Sequence, residues 1–242
     1  MRTLIVIPAR MASSRFPNKP MALIHGKPMI QRVWEQAVAS NLGDVIVACS
    51  EREVLDRIIS LGGKAILTDP DLPSGTDRIF EAIKNKNNIN QFDSIINLQG
   101  DMPIIDPKHI IKVNTPLIQG FDIGTLVTDL IDNQVDNLNV TKVKIKWIKR
   151  NKIGQAFDFY KSTNEKQDNA YHHVGIYSFR YETLKKFVSL QPSVNEKDRK
   201  LEQWRALDAK MTIGVSYVKN IPISVDTKED LIHVENIINN KS

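Results

Sequence analysis

The chain of 242 residues contains one cysteine, Cys49. An intramolecular disulfide is therefore impossible, and a cysteine-rich zinc cluster is excluded. Cys49 closes an apolar run and reads as a small buried hydrophobe. Long apolar stretches are also lacking. None approaches the ~18 residues that a membrane-spanning helix needs, so no membrane partner is expected. Arg2 precedes only a short apolar strand, not the longer core of a secretory leader, and a cytoplasmic location is expected. Glycine is scarce, at 11 residues, and it is missing where two common phosphate loops need it. Neither the G-x-x-x-x-G-K-[ST] nor the G-x-G-x-x-G spacing follows the first strand. Aromatic residues make up 7% and are not interleaved with the basic ones. The net charge of +5 comes from dispersed lysines and arginines, so nucleic acid is not an expected partner.

What is present begins at Leu4. Leu4-Ile5-Val6-Ile7 reads as a buried parallel strand, and Pro8, which cannot donate to a ladder, is expected to end it. A loop with Arg10, Arg15 and Lys19 follows, interleaved with small residues (Ala9, Ala12, Ser13, Ser14) that let a ligand approach the backbone. Open α/β sheets bind ligands at the carboxyl ends of their strands. Three cations at that place suit a polyanion, with a triphosphate as the natural candidate.

The rest of the chain alternates strand and helix. Helical periodicity runs over 29–40, with Pro28 suited to the first turn. A second strand is expected over 44–49, a helix over 53–61, and a short strand over 64–68. A helix starts after Gly75, capped by Ser74 or Thr76. A strand over 93–98 leads straight into Gln99-Gly100-Asp101, and a helix is expected over 107–118. This order predicts a mostly parallel central sheet flanked by helices. After a strand over 122–128 the pattern changes. Residues 129–139 read as loop, 140–148 as a half-exposed strand, and Asn151-Lys152 as a hairpin turn before a return strand over 156–160. Residues 162–169 read as loop, 172–179 as strand, 181–189 and 195–208 as helices, and 213–218 as strand. A final helix starts near Val225-Asp226-Thr227, with Thr227 or Asp226 as cap and Asp230 at its third position. The expected domains are a nucleotide-binding α/β core over 1–130 with 213–242, and a smaller mixed α+β lobe over 131–212.

Asp101 and Asp226 each stand at an exit from a core element. Mg²⁺ takes a few carboxylates plus phosphates and water, so this pair is a candidate metal site. The competing readings are a turn residue for Asp101 and a helix cap for Asp226. Of His172 and His173, adjacent in a strand, only one can face a given pocket. A single histidine that hydrogen-bonds a substrate fits better than a zinc site. Glu202-Gln203 lie on an amphipathic helix, where the plain reading is a solvated face.

Several segments recur in a fixed order: P-A-R-M-A-S-S-R-F-P-N-K-P, H-G-K-P-M-I, S-G-T-D-R, N-L-Q-G-D, H-V-G-I-Y, L-E-Q-W-R and V-D-T-K-E-D-L. Together, from Ile7 to Leu231, they resemble the 3-deoxy-manno-octulosonate cytidylyltransferase (CMP-Kdo synthetase) family. The first segment is shared with other sugar nucleotidyltransferases, including CMP-sialate synthetases; the third, fifth and sixth narrow the resemblance. It implies the Rossmann-like fold of nucleotide-diphospho-sugar transferases. The implied reaction is CTP plus Kdo giving CMP-Kdo and pyrophosphate, for lipopolysaccharide biosynthesis, by a homodimer. CTP would lie on Pro8, Ala9, Arg10, Arg15, Lys19, Ser74, Gly75 and Gln99. Lys19, Arg10 and Asp101 would be catalytic. Asp101 and Asp226 would hold Mg²⁺, with two ions in all. Arg78, Gln99, His173, Glu202 and Gln203 would bind the sugar acid, Arg78, His173, Glu202 and Gln203 on the smaller lobe and its rim. CMP-sialate or 8-amino-Kdo chemistry is the near alternative, and a metal-dependent glycosyltransferase the distant one. Three positions depart from the family pattern: Met102 replaces a glutamate, Lys161 an arginine, and Ser50 an acidic residue.

Overall fold

The structure, a computed structural model, describes residues 1–12, 16–150, 152–161, 169–220 and 222–240. The chain divides into two compact units. The first comprises Met1–Ile110 and Pro222–Ser242, and the second Ile111–Ile221.

In the first unit, β1 (Thr3–Ala9) is buried along its whole length. It continues through Pro8, which overturns the expectation that Pro8 ends it. The reason lies in the ladder. Val6 is the last residue of β1 in register with the neighbouring strand β6, and its carbonyl accepts from Leu98. An N–H at Pro8 would point to the same side, beyond that last rung, so the proline interrupts none of the paired residues of the β1–β6 ladder. A two-residue hairpin follows, β2 (Leu23–Ile24) and β3 (Lys27–Pro28), turning at His25-Gly26 with φ of 45° and 72°. Then come α1 (Met29–Ala39), β4 (Gly43–Cys49), α2 (Arg52–Ser60), β5 (Lys64–Leu67), α3 (Gly75–Ile83) and β6 (Ser94–Asn97). The four long strands form a parallel sheet in the order β5-β4-β1-β6, and α1, α2 and α3 pack on it. The order reverses between β1 and β6. Such a switch point opens a crevice at the carboxyl ends of the two strands.

The chain leaves the first unit within α4 (Pro107–Lys112). The single helix expected over 107–118 is broken. Pro116 lies in the first turn of α5 (Thr115–Ile118), and a helix running through from α4 would press its ring against the carbonyl of Lys112. The second unit continues with β7 (Ile123–Asp129), a short α6 (Asp132–Val135) inside the expected loop, β8 (Lys142–Lys149), β9 (Ile153–Tyr160), β10 (Ala170–Phe179), α7 (Tyr181–Ser189), α8 (Val194–Arg199), α9 (Gln203–Asp208) and β11 (Ile213–Tyr217). The helix expected over 195–208 is two helices. Lys200 adopts a left-handed backbone, φ 55°, between α8 and α9. The loop expected over 162–169 falls, but for Asn169, outside the described residues, as does Asn151 of the expected hairpin turn.

The strands of this unit close into a ring. β7 pairs with β10 and β11, β11 with β9, β9 with β8, and β8 again with β10 through Ala170–His172. These pairings correct the expected boundary. β7 and β11 belong with the second unit, so the first ends at Ile110 rather than 130 and resumes at Pro222 rather than 213. The returning chain forms α10 (Lys228–Asn239), whose Val234 joins Phe16, Ile24, Met29 and Val225 in one buried cluster.

Candidate active site

The crevice at the switch point collects the residues expected to bind the nucleotide. Pro8, Ala9 and Arg10 come from the end of β1, Ser74, Gly75 and Arg78 from the start of α3, and Gln99, Gly100 and Asp101 from the exit of β6. Lys19, Pro20, Met29 and Asp226 complete the lining. Gly100 is needed here, because a Cβ on it would stand 2.7 Å from the Pro8 carbonyl oxygen. The exits of β1 and β6 approach too closely for a side chain. Arg15 lies outside the described residues.

At the floor of the crevice, one ammonium joins two carboxylates. Lys19, on a short 3-10 turn, donates through Nζ to Asp101 Oδ2 at 3.0 Å, to Asp226 Oδ1 at 3.1 Å and to the Val225 carbonyl at 3.0 Å. All three of its hydrogens are engaged. Asp226 is brought there by the backbone, since the Val225 N–H donates to the Asp101 carbonyl at 2.8 Å. The helix-cap reading of Asp226 is removed. Thr227 is the cap, its hydroxyl accepting from the Asp230 N–H while Asp230 accepts from the N–H of Thr227 and of Asp226. The Asp226 carboxylate is thereby left for Lys19. Burial opposes the charge on Lys19, yet Asp101 and then Asp226 outweigh it and hold its pKa above the ordinary lysine value. Burial pushes the Asp101 carboxyl up from its ordinary value. Lys19 pulls against this, and Asp226 adds to it.

Ser74 and Arg78 serve the protein first. Ser74 caps α3, accepting from Thr76 and Asp77 at 3.1 Å each and donating to Asp77 Oδ2 at 2.7 Å. Arg78, expected among the sugar-binding groups, stands instead in the first unit beside Ser74 and Gly75. It is buried, and its guanidinium holds Thr68 Oγ1 at 2.6 Å, the Asp69 carbonyl at 3.0 Å and the Pro70 carbonyl at 3.2 Å. It fixes the exit of β5. Gln99 donates to Asn97 Oδ1 at 2.9 Å, which turns its own amide oxygen toward Gly75. Met102, at the position of a family glutamate, is buried and brings no charge. Among the described residues no group of three or more His, Cys, Asp or Glu side chains is arranged to hold a metal.

The remaining predicted residues meet in the second unit. His173 is buried, with Nε2 3.0 Å from Thr125 Oγ1, and its ring packs on Phe159 and Tyr177 at centroid distances of 5.2 and 5.5 Å. Gln203 Nε2 donates to the Tyr177 hydroxyl at 2.5 Å, and no described residue bonds its buried amide oxygen. Burial, then the neighbouring Glu202 carboxylate, raises the Tyr177 hydroxyl above its ordinary pKa. Burial depresses His173 to about 3, so the ring is neutral. His172 faces the other way, 2.9 Å from Gln134 Oε1, and burial followed by the Lys142 charge lowers it to about 4. The Lys161 carbonyl accepts from the fully buried Lys142 ammonium at 2.7 Å. Sequence reasoning named His173, Glu202 and Gln203 but missed Tyr177, the residue that connects them. Its signal was present in H-V-G-I-Y. Thr125, by contrast, lies in an unremarked strand and left none.

The description cytidylyltransferase belongs to the family model that matches residues 4–213. The 3-deoxy-manno-octulosonate cytidylyltransferase of Paramagnetospirillum magneticum is 45% identical over 231 residues, covering 94% of each chain. That of Rhodospirillum centenum is 42% identical over 232 residues, covering 94% of this chain and 90% of its own. A solved structure of CMP:2-keto-3-deoxy-manno-octonic acid synthetase complexed with CTP superposes with a TM-score of 0.90 at 32% identity, over the whole of both chains. With a nucleotide-type crevice at the sheet's switch point and relatives this similar end to end, the chain belongs to the 3-deoxy-manno-octulosonate cytidylyltransferase family.

Proposed function

We propose that the protein transfers CMP from CTP to the anomeric hydroxyl of 3-deoxy-D-manno-octulosonate, giving CMP-Kdo and pyrophosphate. The observation that carries this reading is the Lys19–Asp101–Asp226 cluster at the switch point of the first unit. The hydroxyl oxygen attacks the α-phosphorus in line and gives up its proton to solvent, the bond to the bridging oxygen breaks, and pyrophosphate leaves with the negative charge. Such a reaction needs placement and charge neutralisation more than covalent help. Pro8, Ala9 and Gly75 supply backbone against which the nucleotide lies. Arg10, Arg15 and Lys19 neutralise the phosphates.

The two carboxylates already converge on one cation, the Lys19 ammonium, at 3.0 and 3.1 Å. A pair of oxygens arranged around a cation, with no third carboxylate, suits Mg²⁺, which completes its shell with phosphates and water. Asp101 and Asp226 would hold that ion. A bound Mg²⁺ supplies charge stabilisation and lowers the pKa of a hydroxyl. His173, Tyr177, Glu202 and Gln203 recognise the sugar acid. The neutral His173, Tyr177 and Gln203 groups, with the Glu202 carboxylate beside them, fit a polyhydroxylated ligand. The working form is a cytoplasmic homodimer using two Mg²⁺ ions, and the product is the activated sugar of lipopolysaccharide assembly.

The test is pyrophosphate release from CTP with Mg²⁺ and a panel of Kdo, 8-amino-Kdo and sialate. Release with Kdo is expected. Release with sialate alone overturns the sugar assignment, and no release with any acceptor overturns the cytidylyl-transfer reading.

A further inference from the structure

The register of β10 on β7 slips beside the histidine. Val174 pairs with Leu126 and the next paired residue, Tyr177, with Thr125, so Gly175 and Ile176 have no partners opposite them. This is a β-bulge, a feature that re-aims side chains. Thr125, fully buried, sits against it. Its Oγ1 lies 2.8 Å from the Ile176 carbonyl oxygen, 3.1 Å from the Val174 carbonyl oxygen and 3.0 Å from His173 Nε2.

A threonine hydroxyl has one hydrogen, and carbonyls can only accept. An oxygen–oxygen contact of 2.8 Å needs that hydrogen between the two atoms; without it, lone pairs face each other in a buried site. The hydroxyl proton is therefore committed to the bulge carbonyls. Toward His173 the same oxygen has only a lone pair to offer, so Nε2 must carry a hydrogen. The buried ring is neutral, and Nδ1 is then a bare acceptor. The amide oxygen of Gln203 is a second acceptor without a partner among the described residues. A Cβ on Gly175 would meet no atom within 4 Å, so the bulge fronts open space.

We propose that Thr125 is a positioning residue: it fixes His173 in the Nε2–H tautomer and so presents Nδ1 as an acceptor for a hydroxyl of the sugar acid. This rests on the proposed reading of the second unit as the sugar-binding one. It assigns a role to a residue that touches the ligand only through His173. A general base is not required at this place; the imidazole orients a hydroxyl.

Nitrogen-15 side-chain NMR on the nucleotide-free protein at pH 7 decides the first half. His173 is expected to be protonated at Nε2 alone, and an Nδ1–H or doubly protonated ring overturns the proposal. Thr125→Val, which removes the hydroxyl and keeps the shape, is expected to lose that single tautomer and to raise KM for Kdo about 10-fold, a typical size for one misplaced hydrogen-bonding group. KM for CTP is expected to stay within about 2-fold. Thr125→Ser is expected to restore both tautomer and KM. An unchanged KM for Kdo in a Thr125→Val protein whose tautomer has shifted overturns the positioning role. Should Thr125→Val not fold, the wild-type spectrum and the serine variant still decide. Failure of the function reading is separate: it shows as absent pyrophosphate release in the wild type, and the NMR result is independent of it.

Discussion

Lys19, Asp101 and Asp226 keep 15%, 24% and 35% of their side-chain surface, whereas His173 keeps 6% and Thr125 none. The first cluster is built of full charges in a solvent-reached crevice, where ions and phosphates exchange readily. The second centres on a buried neutral histidine and a protonated tyrosine, with the Glu202 carboxylate beside them. Its histidine cannot hold a proton at ordinary pH, and its tyrosine cannot lose one. Charges placed in the second environment would be costly, and neutral groups in the first would not hold a triphosphate against water. On the proposed function, the first unit reads charge and the second reads mainly the direction of hydrogen bonds.

Three perturbations break this contrast, in descending order of effect. Asp101→Asn removes a full charge from the first cluster and leaves the second untouched. Turnover is expected to fall about 10³-fold or more, by analogy with loss of a transition-state charge-stabilising group. The folded circular dichroism spectrum and KM for Kdo are expected to be retained; near-full activity with Mg²⁺ would sink the assignment of Asp101. Acid acts on the second cluster. The unfolded chain binds protons at its histidines near pH 6.5, whereas folded His172 and His173 wait until about 4 and 3. The unfolded state therefore holds more protons within that window, and stability falls as pH drops through it. The slope approaches ~1.4 kcal/mol per pH unit for each histidine. Urea unfolding between pH 7 and 4 checks this, and His173→Gln is expected to flatten the slope by about half. A pH-independent midpoint would mean that His173 is not held neutral. The smallest effect separates neighbours. Thr227→Ala is expected to cost about 1 kcal/mol of stability through loss of the cap, with kcat nearly unchanged, whereas Asp226→Ala is expected to do the reverse. Equal loss of activity in both would return Asp226 to a structural role.

The first unit was legible because its strands are continuous apolar runs between turn residues, and because parallel strands separated by helices imply their own sheet. Asp101 was legible for the same reason, standing directly after such a run. The second unit was less so. Lys200 breaks a helix with no local signal, since a left-handed lysine is held by surrounding structure and not by propensity. The bulge in β10 depends on its pairing with β7, some 50 residues earlier, and no window of sequence contains both. Arg78 shows a different limit. The motif S-G-T-D-R correctly marked the start of α3, yet the arginine's acceptors are the backbone at 69 and 70 and the hydroxyl of Thr68. Residue type does not distinguish an arginine that binds a ligand from one that holds a loop.

The hydrogen bond from Val225 to the Asp101 carbonyl has a consequence for synthesis. The first unit is interrupted by 111 residues of the second, and its second carboxylate arrives only when the chain resumes. A nascent chain can complete its first four parallel strands early, but Lys19 then faces Asp101 alone. The anion-binding crevice becomes whole only after Asp226 has left the ribosome and α10 has docked. Substrate nucleotide therefore meets an incomplete site as the early half of the protein emerges, and the part of its binding that depends on Asp226 is added only after the inserted unit has been made.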